Sequence, residues 1–253
     1  MAGRVQDKVA LVTGGASGVG RETALLLAAE GARVAISDLN VEAGQALADQ
    51  IGERAIFIRH DVASEADWTQ AIGAAQQHFG PLDILINNAG ILLPGSIETG
   101  TLAQFQQLMT VNAASVFMGC QQGVAAMKAR GGSIVNMASV SSWLPIENYA
   151  GYSASKAAVA ALTRAAALFC RKNGHPVRVN SLHPDGIYTP MMQASAPGVP
   201  AHYLLFDARR NPKGRACLPE QIASILLFLA SDESSAINGS EIRADGAILG
   251  MGL

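Results

Sequence analysis

The sequence has 253 residues, of which 49% are hydrophobic and 15% are charged, and its formal net charge is −2. A nearly neutral chain lacks the basic surface that indicates nucleic-acid binding, and no apolar run is long enough to cross a membrane. We therefore expect neither a nucleic-acid partner nor a membrane association.

The cysteines and histidines do not form a metal-binding pattern. Cys120, Cys170 and Cys217 lack metal-like spacing, and the five histidines form no His-x3-His or Cys/His group. We therefore predict that the protein has no catalytic metal. The odd number of cysteines indicates thiols in a reducing compartment, and no signal peptide is recognisable at the start of the sequence. These features predict a cytoplasmic location.

Apolar runs of strand length alternate with helical stretches. The predicted strands lie near residues 8–13, 33–37, 55–59, 82–87, 132–138, 177–182 and 240–244. The predicted helices lie near residues 18–30, 41–51, 65–79, 101–129, 150–173 and 219–231. Several strands are continuous apolar runs, as in a parallel sheet covered on both faces. The sequence thus predicts one α/β domain over residues 1–253, a doubly wound, Rossmann-like, seven-stranded parallel sheet with helices on both faces.

The first predicted strand leads into a glycine-rich turn and then into a helix. Gly14, Gly18 and Gly20 have the spacing Gly-x3-Gly-x-Gly. Glycine lets the backbone approach a pyrophosphate closely, and the helix offers N–H donors and the positive end of its dipole. Strand, turn and helix therefore indicate the opening of a dinucleotide-binding unit. A tight turn without a ligand is the alternative.

Asp38 ends the second predicted strand. An acid at this place can accept hydrogen bonds from both adenosine ribose hydroxyls, and it would repel a 2′-phosphate. Ser17 and Leu39 offer no basic group to such a phosphate, and the positions of Arg21 and Arg33 do not suggest that role. The pattern therefore favours NAD over NADP. A helix cap at Asp38 or Asn40 is the alternative.

Tyr152 and Lys156 lie four residues apart in a predicted helix, so their side chains share one face. A nearby ammonium lowers the pKa of a phenol, and a phenol tuned in this way can act as a general acid or base on an alcohol or a carbonyl. Tyr149 is a competing phenol, but it has no lysine four residues on. A surface pair without function is the alternative.

Residues 184–217 break the alternation of strands and helices. This segment contains five prolines and several apolar residues. A long, partly apolar insertion after a strand is often a lid over a site. We predict a lid here, with an interface or packing loop as the alternative.

Several motifs together resemble those of one family. The motifs are Thr13-Gly14-x3-Gly18-x-Gly20, Asp61-Val62, Asn87-Asn88-Ala89-Gly90, Asn112, Ser139 thirteen residues before Tyr152, and Tyr152-x3-Lys156. In this combination the chain resembles the compact short-chain dehydrogenases/reductases over essentially its whole length. The resemblance implies an oxidoreductase that interconverts a secondary alcohol and a ketone with NAD.

The resemblance also assigns roles to individual residues. It implies that Tyr152 transfers a proton, that Lys156 supports it and holds the nicotinamide ribose, that Ser139 orients the substrate oxygen, and that Asn112 relays protons. The implied cofactor contacts are Gly14, Ser17, Gly18, Val19, Gly20, Asp38, Leu39, Asp61, Val62, Asn88, Ala89, Gly90, Tyr152, Lys156, Pro184, Ile187 and Thr189. The alternatives are that Ser139 only forms a turn and that Asn112 only makes local hydrogen bonds.

One position departs from the family pattern. The family usually has Pro-Gly after the sixth strand, whereas Asp185 separates Pro184 from Gly186 in this chain. Ile187 and Thr189 keep their expected offsets, so we retain them as cofactor contacts. An acidic residue here is expected to change the local charge or the shape of the loop.

Further segments are similar to those of the hydroxysteroid dehydrogenases of this family. A set of apolar residues predicts a broad hydrophobic cleft, and the resemblance implies that its substrate is a steroid oxidised or reduced at C3 or C17. The set comprises Leu92, Leu93, Trp143, Leu144, Pro145, Ile146, Met191 and Met192. Any one of them could instead be a core residue. A broad-specificity dehydrogenase of other bulky alcohols is the main alternative, and a non-catalytic NAD-binding regulator is a remote one.

The family also implies a homotetramer. Its subunits associate through long helices, which correspond here to the predicted helices near residues 101–129 and 150–173. The apolar residues 248–253 are predicted to pack at another subunit interface.

Overall fold

The computed structural model describes residues 3–195, 197–207 and 209–250. The strands are β1 (Val9–Thr13), β2 (Arg33–Asp38), β3 (Ala55–Arg59), β4 (Ile84–Asn87), β5 (Gly132–Met137), β6 (Val177–Pro184), β7 (Gly186–Ile187), β8 (Ala216–Cys217) and β9 (Glu241–Ala244). The helices are α1 (Gly18–Ala29), α2 (Val41–Ile51), α3 (Glu65–Phe79), α4 (Leu102–Leu108), α5 (Ser115–Met127), α6 (Ala150–Lys172), α7 (Pro190–Ser195), α8 (Ala201–Leu204) and α9 (Pro219–Ala230).

The main sheet has a doubly wound topology. Within the described ranges it contains seven strands, all parallel, in the order β3-β2-β1-β4-β5-β6-β9. β1 is the third strand of this order, where Ala10 is opposite Val34 of β2 on one side and Ile84 of β4 on the other. The chain order reverses at β1, and ligands bind at this point in sheets of this kind. The predicted fold class is confirmed.

Helices cover both faces of the sheet, and each covered face forms a hydrophobic core. Alternate residues of a strand point to opposite faces, and β1 therefore contributes Leu11 to one core and Val12 to the other. Trp68 of α3 is completely buried in the first core, and Leu27 of α1 is completely buried in the second. Burial on both faces explains why the strands read as continuous apolar runs in the sequence.

The helix predicted near residues 101–129 is not continuous. It consists of α4, a π-helical turn over Met109–Ala114, and α5. Thr101 caps α4 because its hydroxyl accepts a hydrogen bond from the backbone N–H of Gln104 at 3.1 Å. A π turn adds a residue to the helical repeat and commonly occurs at a functional site. Its most buried polar residue is Asn112.

The insertion between β6 and α9 has more regular structure than the sequence predicts. Its two ends pair as the short parallel strands β7 and β8, and it carries the short helices α7 and α8. Gly186 is opposite Ala216, and Ile187 is opposite Cys217. The two ends of the insertion are therefore held together next to the carboxyl end of β6.

No helix in the described part of the chain is both long enough and apolar enough to cross a membrane.

The apolar tail at 248–253 is described only as far as residue 250, where Ile248–Gly250 forms a short 3-10 turn. The remainder of that predicted contact surface lies outside the described residues.

Candidate active site

The glycine-rich turn folds tightly because its glycines allow two backbone segments to touch. Gly14 has φ +62° and Gly18 has φ +51°, a region that side-chain-bearing residues rarely adopt. A Cβ added to Gly20 would lie 2.1 Å from the carbonyl oxygen of Gly14. The turn therefore brings the first N–H groups of α1 to the end of β1. Ser17 makes no side-chain cap to them, so they remain suitable donors for a pyrophosphate.

Hydrogen bonds from Asn88 and Thr13 join this turn to the end of β4. The Asn88 side-chain amide donates to the carbonyl oxygens of Thr13 at 2.9 Å and of Gly14 at 3.1 Å. The Thr13 hydroxyl in turn accepts hydrogen bonds from the backbone N–H groups of Asn88 and Ala89, both at 3.1 Å. Asn88 is thus a structural support of the glycine-rich turn, a role that its polarity alone does not reveal.

Asp38 lies at the carboxyl end of β2 beside the turn. Its carboxylate accepts hydrogen bonds from the backbone N–H of Ala16 at 3.0 Å and of Asn40 at 2.9 Å. These bonds fix the orientation of the carboxylate, and each oxygen retains capacity to accept another donor. Asn40, rather than Asp38, caps α2 through its side-chain oxygen. Leu39 is 57% exposed next to this acid.

Asp61 and Val62 follow β3, the next strand of the sheet. The Asp61 carboxylate accepts a hydrogen bond from the backbone N–H of Ala63 at 2.9 Å. The Val62 side chain is buried in the first hydrophobic core. The backbone N–H of His60 bonds to the carbonyl of Asp38 at 3.0 Å, so the ends of β2 and β3 are adjacent.

Tyr152 lies in the first turn of α6, and its phenol is near the side chain of Ser139, which follows β5. Burial raises the pKa of the Tyr152 phenol, and the nearby Ser139 side chain opposes that rise. The lowering of this pKa that the sequence predicts from Lys156 is not found, because burial disfavours the phenolate more strongly than its neighbours favour it. Ser139 is itself 8% exposed, and its hydroxyl accepts the backbone N–H of Ser141 at 3.2 Å.

Lys156 is a buried ammonium beside the phenol. It is 4% exposed, its Nζ donates to the carbonyl oxygen of Met137 at 2.9 Å, and Nζ lies 5.7 Å from the centroid of the Tyr152 ring. Burial lowers the pKa of Lys156 to about 8. A Cβ on Gly90 would lie 3.5 Å from Nζ, so the loop after β4 passes directly over the lysine.

Asn112 connects this loop to α6. Its side-chain oxygen accepts the backbone N–H of Ile91 at 2.8 Å, and its amide donates to the Ile91 carbonyl and to the Ser155 hydroxyl, both at 3.0 Å. The Ser155 hydroxyl donates to the carbonyl of Tyr152 at 2.7 Å. The π turn therefore directs Asn112 inward, where it links the loop over Lys156 with the first turn of α6.

The loop after β6 returns to the glycine-rich turn. A Cβ on Gly18 would lie 3.2 Å from the Thr189 methyl carbon. The Thr189 hydroxyl donates to the carbonyl of Ile187 at 3.3 Å, and Pro184 ends β6 in register with Ala244 of β9. These predicted contacts thus lie at the same edge of the sheet as the glycine-rich turn.

Asp185, the departure from the family pattern, has a partner that the sequence analysis missed. Arg215 donates two parallel hydrogen bonds to the Asp185 carboxylate, both at 2.8 Å. The Asp185 side chain is 10% exposed, and the two residues lie at opposite ends of the insertion. The acid is therefore neutralised within the insertion itself, and the ion pair reinforces the pairing of β7 with β8.

The predicted apolar residues are not gathered into one cavity. A pocket of about 780 Å³ is lined by Trp143, Pro145 and Ile146 together with residues of α6, but it includes neither Ser139 nor Tyr152. Leu92, Leu93, Met191 and Met192 are not among its lining residues. Trp143 and Met191 are 40% and 43% exposed, so the apolar side chains form an open surface rather than an enclosed cavity.

Comparison with known proteins identifies the family. A family model described as enoyl-(acyl carrier protein) reductase matches residues 14–248. The 3-beta-hydroxysteroid dehydrogenase of Comamonas testosteroni is 66% identical over 100% of both chains. The 3-alpha-(or 20-beta)-hydroxysteroid dehydrogenase of Mycobacterium tuberculosis is 40% identical over 97% of this chain and 91% of that protein. The NADP-dependent (R)-specific alcohol dehydrogenase of Lentilactobacillus kefiri is 36% identical over 97% of this chain and 98% of that one.

The chain belongs to the short-chain dehydrogenase/reductase family. It is an oxidoreductase of secondary alcohols and uses a nicotinamide cofactor. The residues present fit such a cofactor, because the glycine-rich turn, the uncapped start of α1 and the buried ammonium of Lys156 lie at one edge of the sheet. The predicted family and enzyme class are confirmed.

The support that Asn88 gives to the glycine-rich turn can be tested by Asn88→Asp. The variant keeps the size of the side chain but replaces the donating amide with an acceptor that faces two carbonyl oxygens. We expect the free energy of unfolding to fall by about 2–3 kcal/mol, measured by urea denaturation, together with weaker binding of the cofactor.

Asn40→Asp is the matched control, since it adds the same charge. The Asn40 side-chain oxygen accepts a hydrogen bond from the backbone N–H of Ala43, and a carboxylate can accept the same bond. The control should unfold within about 0.5 kcal/mol of the parent protein. Equal stability of both variants would show that Asn88 does not support the turn.

Proposed function

We propose that this enzyme transfers hydride between NAD and a secondary alcohol or ketone at C3 or C17 of a hydroxysteroid, with Tyr152 as the proton-transferring residue. The observation that carries the proposal is the environment of the Tyr152 phenol, which lies near the Ser139 side chain and beside the ammonium of Lys156. A phenol between a hydroxyl and a cation can exchange a proton with a substrate oxygen.

In this proposal Tyr152 moves the proton of the substrate hydroxyl. In oxidation, the nicotinamide supplies the acceptor for hydride from the carbinol carbon when it is bound. The ionised Tyr152 oxygen takes the hydroxyl proton while the C–O single bond becomes a carbonyl. In reduction, the Tyr152 hydroxyl returns that proton to the carbonyl oxygen. Ser139 donates a hydrogen bond to the substrate oxygen in both directions and thereby orients it.

Lys156 and Asn112 support this step. With its pKa at about 8, Lys156 is largely cationic at neutral pH, and a cation beside the phenol favours phenolate. Each unit by which the phenol pKa falls requires about 1.4 kcal/mol of differential stabilisation. In our proposal Lys156 also holds the nicotinamide ribose hydroxyls. Asn112 passes protons toward solvent through water and Lys156.

NAD is the proposed form of the cofactor, and Asp38 is the main support. Its fixed carboxylate suits two ribose hydroxyls and repels a 2′-phosphate. Arg21 donates to Gln50 at 3.3 Å, and Arg33 donates to the carbonyl of Phe79 at 3.1 Å. Both arginines thus have partners away from Asp38, although one relative of this chain is NADP-dependent.

We assign the remaining cofactor contacts from their positions along the carboxyl ends of the parallel strands. The pyrophosphate is assigned to the turn and to the start of α1, and the adenine is assigned to the ends of β2 and β3. The nicotinamide is assigned to the loops after β4 and β6. The residues concerned are Gly14, Ser17, Gly18, Val19, Gly20, Leu39, Asp61, Val62, Asn88, Ala89, Gly90, Pro184, Ile187 and Thr189.

A steroid is the proposed substrate because apolar side chains assigned to the substrate cleft, Trp143 and Met191, are exposed. Two relatives are named as hydroxysteroid dehydrogenases. Met191 and Trp143 present broad apolar surfaces, and methionine adapts to irregular ligands. We further propose that the insertion at 184–217 closes over this substrate as a lid, hinged at the Asp185–Arg215 ion pair.

We also propose that the enzyme is a cytoplasmic homotetramer. A groove of about 610 Å³ between the π turn, α5 and α6 is lined by Met109, Thr110, Ala113, Ala114, Phe117, Ala158, Ala161, Leu162 and Ala165. Phe117, Leu168 and Phe169 are each more than half exposed on these helices. Small residues beside exposed aromatic ones suit the same helices of a second copy. The free thiols of Cys120, Cys170 and Cys217 support a reducing compartment.

The proton-transfer role is tested by Tyr152→Phe, which removes one oxygen atom. With a 3β-hydroxysteroid and NAD, we expect kcat to fall roughly 1,000-fold while the Kd for NAD changes less than about two-fold. Tyr149→Phe is the matched control and should keep kcat within about two-fold. Activity retained by Tyr152→Phe would contradict the proposed mechanism.

The same assay separates the alternative functions. A kcat/KM for small cyclic ketones equal to that for the steroid would favour a broad-specificity dehydrogenase. Tight NAD binding without turnover of any secondary alcohol would favour a regulator.

The cofactor preference is tested by Asp38→Ala. We expect the KM for NAD to rise roughly ten-fold and the preference for NAD over NADP to fall roughly 100-fold, since both the ribose acceptor and the repelling charge are lost. Asp49→Ala removes the same charge from the exposed surface of α2 and serves as the control. An unchanged NAD/NADP ratio in Asp38→Ala would overturn the assignment.

The proposed assembly is tested by Phe117→Asp. A charge in the groove between α5 and α6 should convert tetramers to smaller species in light scattering, because it would be desolvated at the interface. Tyr203→Glu, which alters an aromatic side chain that is 69% exposed in the insertion, should remain tetrameric. A monomeric parent protein would refute the proposal.

A further inference from the structure

His183 lies directly behind the proposed substrate site, at the carboxyl end of β6. Its side chain is completely buried. One edge of the imidazole faces Ser139, because Nδ1 lies 3.1 Å from the Ser139 carbonyl oxygen. The face of the ring stacks on Trp143, with ring centroids 4.2 Å apart and planes inclined by 15°. A single side chain therefore contacts both the serine proposed to orient the substrate oxygen and an apolar residue proposed to face the substrate.

The hydrogen bonds around His183 have one consistent direction. The Ser142 hydroxyl donates to the Ser139 carbonyl at 2.7 Å, which leaves the Ser142 oxygen to accept from His183 Nδ1 at 2.9 Å. Nδ1 must then carry the hydrogen, and it also points at the Ser139 carbonyl, which can only accept. Nε2 consequently accepts from the Ser181 hydroxyl at 2.8 Å. The direction of these hydrogen bonds thus selects the neutral tautomer of His183 that carries its hydrogen on Nδ1.

The charges around the ring are consistent with a neutral imidazole. Burial is the main cause that lowers the pKa of His183 to about 4; the hydrogen bond to Ser139 opposes this shift, and the cations Lys156 and Arg164 contribute to it. The Glu241 carboxylate lies 3.7 Å from Nε2 through one oxygen and is paired with Arg164 through the other. The hydrogen-bond chain therefore does not depend on a charged histidine at neutral pH.

We propose that His183 is a positioning residue: its Nδ1 edge fixes the backbone of Ser139 for the proton step, and its ring face fixes Trp143 as a wall for a bulky apolar substrate. This inference rests on the proposed function. The contact with Ser139 depends on the Nδ1 edge of the ring, and the contact with Trp143 depends on the ring face. Each contact can therefore be removed by a different substitution.

Two substitutions distinguish the effect of the Nδ1 edge of His183 from the effect of its ring face. His183→Phe keeps a flat ring against Trp143 but lacks the N–H that faces Ser139. His183→Asn places an amide donor near the position of Nδ1 but has no ring to stack on the indole. A role in folding alone would lower stability in both variants without separating kcat from KM.

The experiment compares steady-state kinetics of both variants with a 3β-hydroxysteroid and with cyclohexanol. We expect His183→Phe to lower kcat roughly ten-fold for both substrates with little change in KM. We expect His183→Asn to keep kcat within about two-fold and to raise the KM for the steroid roughly five-fold, with no change for cyclohexanol. Equal losses of kcat in both variants, or the same change in KM for both substrates, would overturn the proposal.

A second readout does not require turnover. Trp143 is partly exposed, whereas Trp68, the other tryptophan, is buried. Acrylamide quenching of tryptophan fluorescence should therefore increase in His183→Asn and stay near the parent value in His183→Phe. Equal quenching of all three proteins would contradict the stacking role. If the parent protein oxidises no steroid but shows this difference in quenching, the proposed substrate fails while the position of Trp143 is upheld.

A milder variant covers the case in which the two substitutions at His183 unfold the protein. Ser181→Ala removes the hydroxyl that donates to Nε2, and the nearby Glu241 carboxylate then favours a hydrogen on Nε2. Nδ1 would present a lone pair to the Ser139 carbonyl, so we expect kcat to fall roughly three-fold or more at unchanged KM. An unchanged kcat in Ser181→Ala would contradict the role of the ring edge.

Discussion

A parallel sheet that is covered by helices on both faces leaves only its strand ends for polar groups that must reach a ligand. The residues of β1 are buried on both faces, and its hydrogen-bonding side chain comes only at the end, at Thr13. There Thr13 and Asn88 join β1 to β4 through four hydrogen bonds, and these bonds hold the glycine-rich turn in place. The start of α1 and the loop over Lys156 both depend on this connection.

A second constraint is the burial of charge at Lys156 and Tyr152, the residues that we propose take part in proton transfer. Lys156 is held by one backbone carbonyl, and burial shifts its pKa toward neutrality. The same burial disfavours the Tyr152 phenolate. Each ionised form would stabilise the other, because opposite charges interact more strongly where water is excluded. The pair is therefore more favourable ionised together than either residue alone, which suits a proton acceptor that must form during catalysis.

The sequence predicts the sheet well because burial on both faces leaves an unambiguous apolar pattern, and it predicts the glycine-rich turn because few residues other than glycine adopt its backbone angles. The sequence does not predict the π turn at Asn112, because the pattern of apolar residues in α4 and in α5 has nearly the same helical period. The extra residue between the two helices therefore leaves no visible break in the pattern. The partner of Asp185 is thirty residues away, and His183 of β6 stacks on Trp143, which follows β5. Such contacts follow from tertiary packing, which no local pattern encodes. The phenol pKa is raised rather than lowered because the cost of burying the phenolate, which no sequence pattern shows, outweighs the effect of its neighbours.

The central claim is that the Tyr152 hydroxyl exchanges the substrate proton in an environment set by Ser139 and Lys156. A crystal structure of the enzyme with NAD and a 3-ketosteroid tests it most directly. The account predicts that the ketone oxygen lies about 3 Å from both the Tyr152 hydroxyl and the Ser139 hydroxyl, with the reacting carbon facing the nicotinamide. A ketone oxygen bound away from both hydroxyls, or bonded to a different proton donor, would contradict it.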